Sequence, residues 1–327
     1  MPIVNRYSRV AGTGSYLPEK VLTNADLAKL VDTTDEWIRT RTGIERRHIV
    51  AADETSSSMA EHAARRALKA AGQTPADVDL IVVGTTTPDL VFPNTGTLLQ
   101  RRLDIHGCPA FALEAACSGF VYALSIADKF VRIGESKCAL VVGVDCLSRI
   151  TDWNDRSTCV LFGDGAGAVV LTPADEPGII GTHLHSDGKY KDLLYFPYGV
   201  SSGFDKLRSG ESAAIRMLGN EVFKVAVRTL SRLVDETLAK DGVERSQIDW
   251  LIPHQANLRI IQSAAEKLGL PMEKVVVTVQ DHGNTSAASI PLALDTAVRD
   301  GRVHRGQTLL LETFGGGFTW GSALIRY

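Results

Sequence analysis

The feature that most restricts the fold of this chain is that it repeats itself. The segment "MAEHAARRALKAAGQTPADVDLIVVGTTTPD", starting at Met59, reads as an amphipathic helix, a polar link and a short apolar strand. "VAVRTLSRLVDETLAKDGVERSQIDWLIPHQAN", starting at Val225, has the same order, and Asp79 and Asp249, 170 positions apart, introduce the two strands. Further on, a helix and the strand "ALVVG" from Ala139 are matched by a helix and "TLLLE" from Thr308, 169 positions later. Each half closes on a glycine-punctuated strand, "FGDGAGAVVLTP" and "FTWGSALIRY". Short apolar strands alternating with helices predict α/β sheets covered on both faces. Two matching halves predict a duplicated unit about a pseudo-two-fold. The boundary falls near "TPADEPG", giving halves 1–176 and 177–327. Residues 181–220 find no counterpart in the first half and read as an inserted flap over a site or as a plain surface loop region.

Composition excludes several classes. The 327 residues are 44% hydrophobic and 22% charged, ordinary for a globular chain with ample core. A net charge of −3 argues against a general nucleic-acid binder. No window approaches 18 consecutive apolar residues, and the N-terminus lacks an apolar segment of signal-peptide length, so no membrane span or export is expected. The five cysteines, Cys108, Cys117, Cys138, Cys146 and Cys159, are odd in number and form no C-x-x-C pair. That pattern predicts reduced thiols and a cytoplasmic location. His183 and His185 in "HLHSDG" read as strand alternation, and no metal site is expected.

Chemistry is expected at strand ends. "PAFALEAA" reads as a buried strand, and Phe120, Val121, Leu124, Ala127, Phe130 and Val131 then recur at helical spacing until Gly134. Cys117 therefore falls at a strand-to-helix turn, where unsatisfied helix N–H groups lower a thiol pKa. The alternative is a small packed hydrophobe, the commoner state of a free cysteine. The equivalent turn of the second half, "DHGNTSAAS", carries His282 and Asn284, and the strand "IDWLIP" ends at His254. Ligands of open α/β sheets gather at the carboxyl ends of strands. Asn284 also suits a helix cap, and His282 suits a supporting role. The glycines of "FGDGAGAVVL" lead into a strand, not a helix, so no dinucleotide site is expected there. Those of "ETFGGGFTWGSA" suit either a tight turn or backbone N–H groups brought close to a ligand, as an oxyanion hole requires.

Taken together, "AACSGF", "PHQANLRI", "HGNTSAAS" and "FGGGFTWGSALIRY", with "GTGSYLPE", "DEWIRTRTGI" and "FGDGAGA", resemble the beta-ketoacyl-acyl-carrier-protein synthase III family over nearly the whole chain. The resemblance implies the thiolase fold, a five-layered αβαβα duplication, in a homodimer. It implies decarboxylative condensation of an acyl-coenzyme A primer, acetyl-coenzyme A above all, with malonyl-acyl carrier protein, starting type II fatty acid synthesis through an acyl-cysteine. No cofactor, metal, nucleic acid or membrane is implied. Cys117, His254 and Asn284 match the family's catalytic residues, and the oxyanion donors match Cys117 and Gly316 within Gly315–Gly317. Trp37, Arg41, Arg156, Asn220 and Asn257 match coenzyme A contacts. Phe92 and Phe314 match the acyl pocket, Phe92 from across the dimer interface. Arg259, with Lys224 and Lys267, matches the patch that docks the acidic carrier protein; interspersed Glu266 and Glu273 would equally suit a plain solvated face. The rival readings are acyl transfer to water or another acceptor, a condensing enzyme of secondary metabolism, and a non-catalytic scaffold.

Overall fold

The computed structural model describes residues 7–203, 210 and 213–327. Two sheets carry the chain. The first holds β1 (Tyr7–Tyr16), β2 (Leu80–Gly84), β3 (Ala110–Leu113), β4 (Ala139–Cys146) and β5 (Asp164–Ala174), in the order β1-β5-β4-β2-β3. The second holds β6 (Ile179–Ser186), β7 (Trp250–Pro253), β8 (Thr308–Gly315) and β9 (Thr319–Arg326), in the order β6-β9-β8-β7. Position for position the orders agree. β2 runs parallel to β4 as β7 does to β8, and β1 pairs antiparallel with β5 as β6 does with β9. The counterpart of β3 is reduced to a single parallel bridge between Leu251 and Val275.

Apolar runs without alternation explain the layering, since strands such as "LIVVG" and "TLLLE" must be covered on both faces. Leu80, Val82, Val141, Leu309 and Leu311 point to a central layer made by α2 (Gly119–Arg132) and α5 (Ser289–Arg299). Ile81, Val83, Leu140 and Val142 point outward to α1 (Ser56–Ala71). Leu310 and Leu324 point outward to α3 (Gly219–Asp241) and α4 (Leu258–Leu268). Helix, sheet, paired helices, sheet and helices give the five layers that the repeat predicts. Gly143 lets the central layer close, because a Cβ there would lie 2.2 Å from the carbonyl oxygen of Ala287.

The expected insertion starts too early. Residues 181–186 lie in β6, pair with β9 and take the place of β1, so they are not an insertion. "IIGTHLHS" hides this because β6 is mostly half-buried and carries two histidines, which blunts its apolar pattern. The extra segment begins at Asp187 and includes the short pair Leu194–Tyr195 with Arg216–Met217. Residues 204–209, 211 and 212 of the expected flap lie outside the described residues. Among the described residues, no helix is long and apolar enough to cross a membrane.

Candidate active site

The two central helices begin at equivalent strained turns. Ala116 has φ 46° and Ser286 has φ 50°, 170 positions apart, both non-glycine residues in the left-handed region. Such strain persists only where the surroundings impose it, and it concentrates at functional sites. The first turn carries Cys117. Thr313 Oγ1 donates to the Cys117 carbonyl at 3.0 Å, and Thr319 Oγ1 donates to that of Ala115 at 2.7 Å, so β8 and β9 of the second half clamp the turn. Gly315 lies against it so closely that a Cβ would sit 2.7 Å from the Cys117 nitrogen.

His254 follows β7, its N–H donating to the Glu312 carbonyl at 2.7 Å. Its Nδ1 faces the Ser289 hydroxyl at 2.6 Å, and that oxygen also accepts the Gln255 N–H at 3.3 Å. The serine hydroxyl can donate to Nδ1, and in that tautomer Nε2 carries the ring proton. Burial lowers His254 to about 3, so the ring is neutral at physiological pH and presents a donor. Asn284 is fixed by a parallel logic. Its Oδ1 accepts the Ser286 N–H at 2.9 Å, which leaves the Nδ2 hydrogens to donate. Asn284 is not the helix cap expected, since Ala288 is the N-cap of α5, but its bond to the Ser286 N–H sets its orientation.

Two cavities meet at Cys117. One, of about 600 Å³, is lined by Trp37, Arg41, Asn220, Asn257 and Arg259, and by Cys117, His254, Asn284 and Phe314. The other, of about 800 Å³, is lined by Cys117, Gly316, Thr87, Leu147, Phe162, Tyr195 and Ile215. The guanidiniums of Arg41 and Arg156 each lie 4.8 Å from the centre of the Trp37 ring. Asn257 ties this cluster to α4: its Nδ2 donates to the Arg41 carbonyl at 3.1 Å and its Oδ1 accepts the Arg259 N–H at 2.8 Å.

One expectation needs correction, and three other residues take the following places. Burial pushes the Cys117 thiol up to about 12, opposed by hydrogen bonding to Ser286. A helix end offers at most about 2 kcal/mol, roughly one and a half pH units, so burial prevails over the helix end. Phe314 lines the cavity of Trp37 and packs on Phe318 at 4.6 Å, and does not line the larger one. Phe92, expected to act from across a dimer interface, is 84% exposed and lines neither cavity of its own chain. Lys267 and Lys224 are both ion-paired, with Asp235 at 2.7 Å and Glu221 at 2.8 Å, but Lys267 lines neither cavity whereas Lys224 and Arg259 line that of His254.

Sequence reading missed Asp145, Ser286, Ser289 and Glu312. Glu312 lines the cavity of His254 with 1% exposure, and neither carboxyl oxygen has a partner among the described residues. Burial pushes it up to about 8. A carboxyl that holds its proton more tightly folded than unfolded stabilises the fold only while protonated. That stability is full below about pH 4.5 and is lost as pH rises to about 8, to an extent of about 4 kcal/mol. Glu312→Gln is therefore expected to become more stable than the wild type as pH rises from 5 to 8, read as a widening difference in Tm. A constant difference contradicts the assignment.

Two segments match family profiles: residues 111–188 match "3-Oxoacyl-[acyl-carrier-protein (ACP)] synthase III", and residues 238–327 match its C-terminal part. The chain is 66% identical to the beta-ketoacyl-[acyl-carrier-protein] synthase III of Xanthomonas campestris pv. campestris, over 98% of each protein. It is 49% identical to the crystal structure of 3-oxoacyl-[acyl-carrier-protein] synthase III from Aquifex aeolicus VF5, with TM-score 0.92 over 98% of this chain and 100% of that one. The priming beta-ketosynthase of the R1128 polyketide pathway is 40% identical, with TM-score 0.94 over 98% of this chain and 96% of that one. On fold, sequence and length alike, the chain belongs to the beta-ketoacyl-acyl-carrier-protein synthase III family of condensing acyltransferases.

Proposed function

We infer that this protein condenses a short acyl group from acyl-coenzyme A, acetyl-coenzyme A first, with malonyl-acyl carrier protein, and that Cys117, His254 and Asn284 carry the reaction. The single observation behind this reading is that Cys117 joins two cavities beside two oriented neutral donors. Cys117 attacks the thioester, coenzyme A leaves and an acyl-enzyme remains. Backbone N–H groups of Cys117 and Gly316 hold the oxyanion. The malonyl thioester then loses carbon dioxide. His254 Nε2–H and Asn284 Nδ2–H donate to its carbonyl oxygen as enolate charge develops there. The carbanion attacks the acyl carbonyl, and the product leaves as a 3-oxoacyl carrier protein. A neutral imidazole suits this step, because a strong base beside the acyl-enzyme would promote enolisation or hydrolysis.

Trp37, Arg41, Arg156, Asn220 and Asn257 take the coenzyme A moiety: an aromatic face between two cations offers stacking to a base and charge to phosphates. The acyl group enters the larger cavity. The protein works in the cytoplasm as a homodimer without a cofactor, and 1–176 and 177–327 serve as its halves. Leu90, Val91 and Phe92, 51% to 84% exposed, form an apolar loop that a second copy would cover. The test is the product. Acetyl-coenzyme A and malonyl-carrier protein should yield acetoacetyl-carrier protein, with longer and branched donors compared beside it. Malonyl-carrier protein left unchanged by every donor contradicts this function.

Lys224 and Arg259 flank the cavity and offer a cationic contact to the acidic carrier protein. Arg259→Glu is expected to raise the KM for malonyl-carrier protein about tenfold at low salt, with the difference shrinking at high salt. Loading of Cys117 should change little. A salt-independent KM places docking elsewhere.

A further inference from the structure

One buried acid in the cavity of His254 has no assigned task. Glu312 lies on β8, where Leu310, Glu312 and Phe314 alternate onto the face that meets α3 and α4. Ser322, its partner across β9, turns the same way and bonds Thr237 of α3 at 2.6 Å. The two helices give the cavity an apolar wall of Ala226, Leu230, Ile260 and Ala264. Glu312 lines the same cavity, is 1% exposed, and has no partner for either carboxyl oxygen among the described residues.

The charged and titratable groups that share the cavity are engaged elsewhere. The Arg41 guanidinium lies 4.8 Å from the centre of the Trp37 ring, and that of Arg259 lies 5.1 Å from the centre of the Phe223 ring. Lys224 pairs with Glu221 at 2.8 Å. His254 is neutral and bonded to Ser289, and Cys117 is a thiol. β7 brings Pro253 to the cavity and β9 sets Ser322 opposite Glu312, neither of them charged. A carboxylate so placed would have neither water nor a countercharge, so Glu312 stands as the neutral acid. Its O–H is a donor whose acceptor must come from what enters the cavity, since buried polar groups are as a rule hydrogen-bonded.

Position narrows the choice of acceptor. Gly315 lies against the Cys117 turn, and Glu312 precedes it by three residues, about 10 Å of strand. The pantetheine arm that coenzyme A and the carrier protein share holds two amides, roughly 5 and 10 Å from the thioester sulfur when extended. We propose that Glu312 is a substrate-binding residue whose protonated carboxyl donates to an amide carbonyl of the pantetheine arm, on coenzyme A and carrier protein alike. This contact rests on the cavity being the path of the thioester to Cys117. Burial holds Glu312 up at about 8. Below that pH the acid donates, and above it the carboxylate has no proton to give.

The test compares three acetyl thioesters: S-ethyl thioacetate without an amide, S-acetyl-N-acetylcysteamine with the first, and S-acetylpantetheine with both. Acetylation of Cys117 is read by intact mass as a second-order rate. In the wild type at pH 7, one step of the series should raise the rate about tenfold, the reach of one well-placed hydrogen bond. Glu312→Leu should lose that step yet load from S-ethyl thioacetate within about threefold of wild type. Glu312→Gln still donates, through its own amide, and should keep the step. At pH 9 the step should shrink to about twofold in the wild type and stay whole in Glu312→Gln. The ratio between thioesters cancels every ionisation that they share, that of Cys117 included. A wild type without such a step, a step that survives in Glu312→Leu, or one indifferent to pH overturns the contact. Equal loss with all three thioesters marks a structural role and overturns it too. Should Glu312→Leu fail to fold, the pH dependence of wild type against Glu312→Gln decides. If no thioester loads the wild type, the functional reading falls. Calorimetry with S-acetylpantetheine then decides the contact, which requires several-fold weaker binding at pH 9 than at pH 7 in the wild type and none of that change in Glu312→Gln.

Discussion

Cys117→Ala should abolish acyl loading and lower condensation by at least about 10⁴-fold, the scale on which removal of a nucleophile is felt. The effect should be total because no other thiol can take over. Cys146 lines the larger cavity, but it is buried with its Sγ against Ser56 Oγ at 3.4 Å, and it does not line the cavity that holds His254 and Asn284. Cys138 and Cys159 are buried, and Cys108 lines neither cavity. The substitution removes one sulfur from a partly exposed turn, so the fold should hold, with Tm within a few degrees of wild type. An acyl adduct on the folded Cys117→Ala protein would move the nucleophile elsewhere.

Asn284→Ala should slow condensation by about 10² to 10³-fold, the usual cost of one oxyanion donor, with acylation reduced less than tenfold. The asymmetry follows from the chemistry: the enolate oxygen forms only in the second half-reaction, and Nδ2 is the donor that Asn284 has to spare. Alanine also removes the acceptor of the Ser286 N–H, and an unpaired buried N–H costs about 1–3 kcal/mol. Asn284→Asp separates the two roles. Aspartate still accepts from Ser286 yet cannot donate once ionised, so it should keep the turn and stay as slow as alanine. Equal loss in both half-reactions, or an aspartate variant near wild type, would refute the donor role.

The duplication made the fold legible, because local patterns suffice where each half must bury the same helices and strands. The ends of the strands were legible too: Cys117, His254 and Asn284, 30 to 167 positions from one another along the chain, line one cavity. What failed needed knowledge of depth. A helix N-terminus is visible in sequence, whereas the burial that outweighs it at Cys117 is made by β8, β9 and the turn at Ser286. Lys267 reads as a member of a basic patch, whereas it lines neither cavity and pairs with Asp235 on a neighbouring helix. β6 hid its place because an edge strand with half-buried faces lacks a clean apolar run. Asp145 and Glu312 did leave a signal, an acid inside the apolar strands "VVGVDC" and "LLLETF". Such acids are rarely buried without a purpose. Their partners, 142 positions away in the case of Asp145 and Ala287, could not be read from spacing.

The most direct test of the central claim is intact-protein mass after mixing with acetyl-coenzyme A, followed by addition of malonyl-carrier protein. The account predicts a gain of one acetyl group on Cys117. That group should be discharged on the second addition, with carbon dioxide released and acetoacetyl-carrier protein formed. An acetyl adduct that drains to water or an alcohol without any 3-oxoacyl product would contradict condensation, and no adduct with any acyl-coenzyme A would contradict the acyl-cysteine itself.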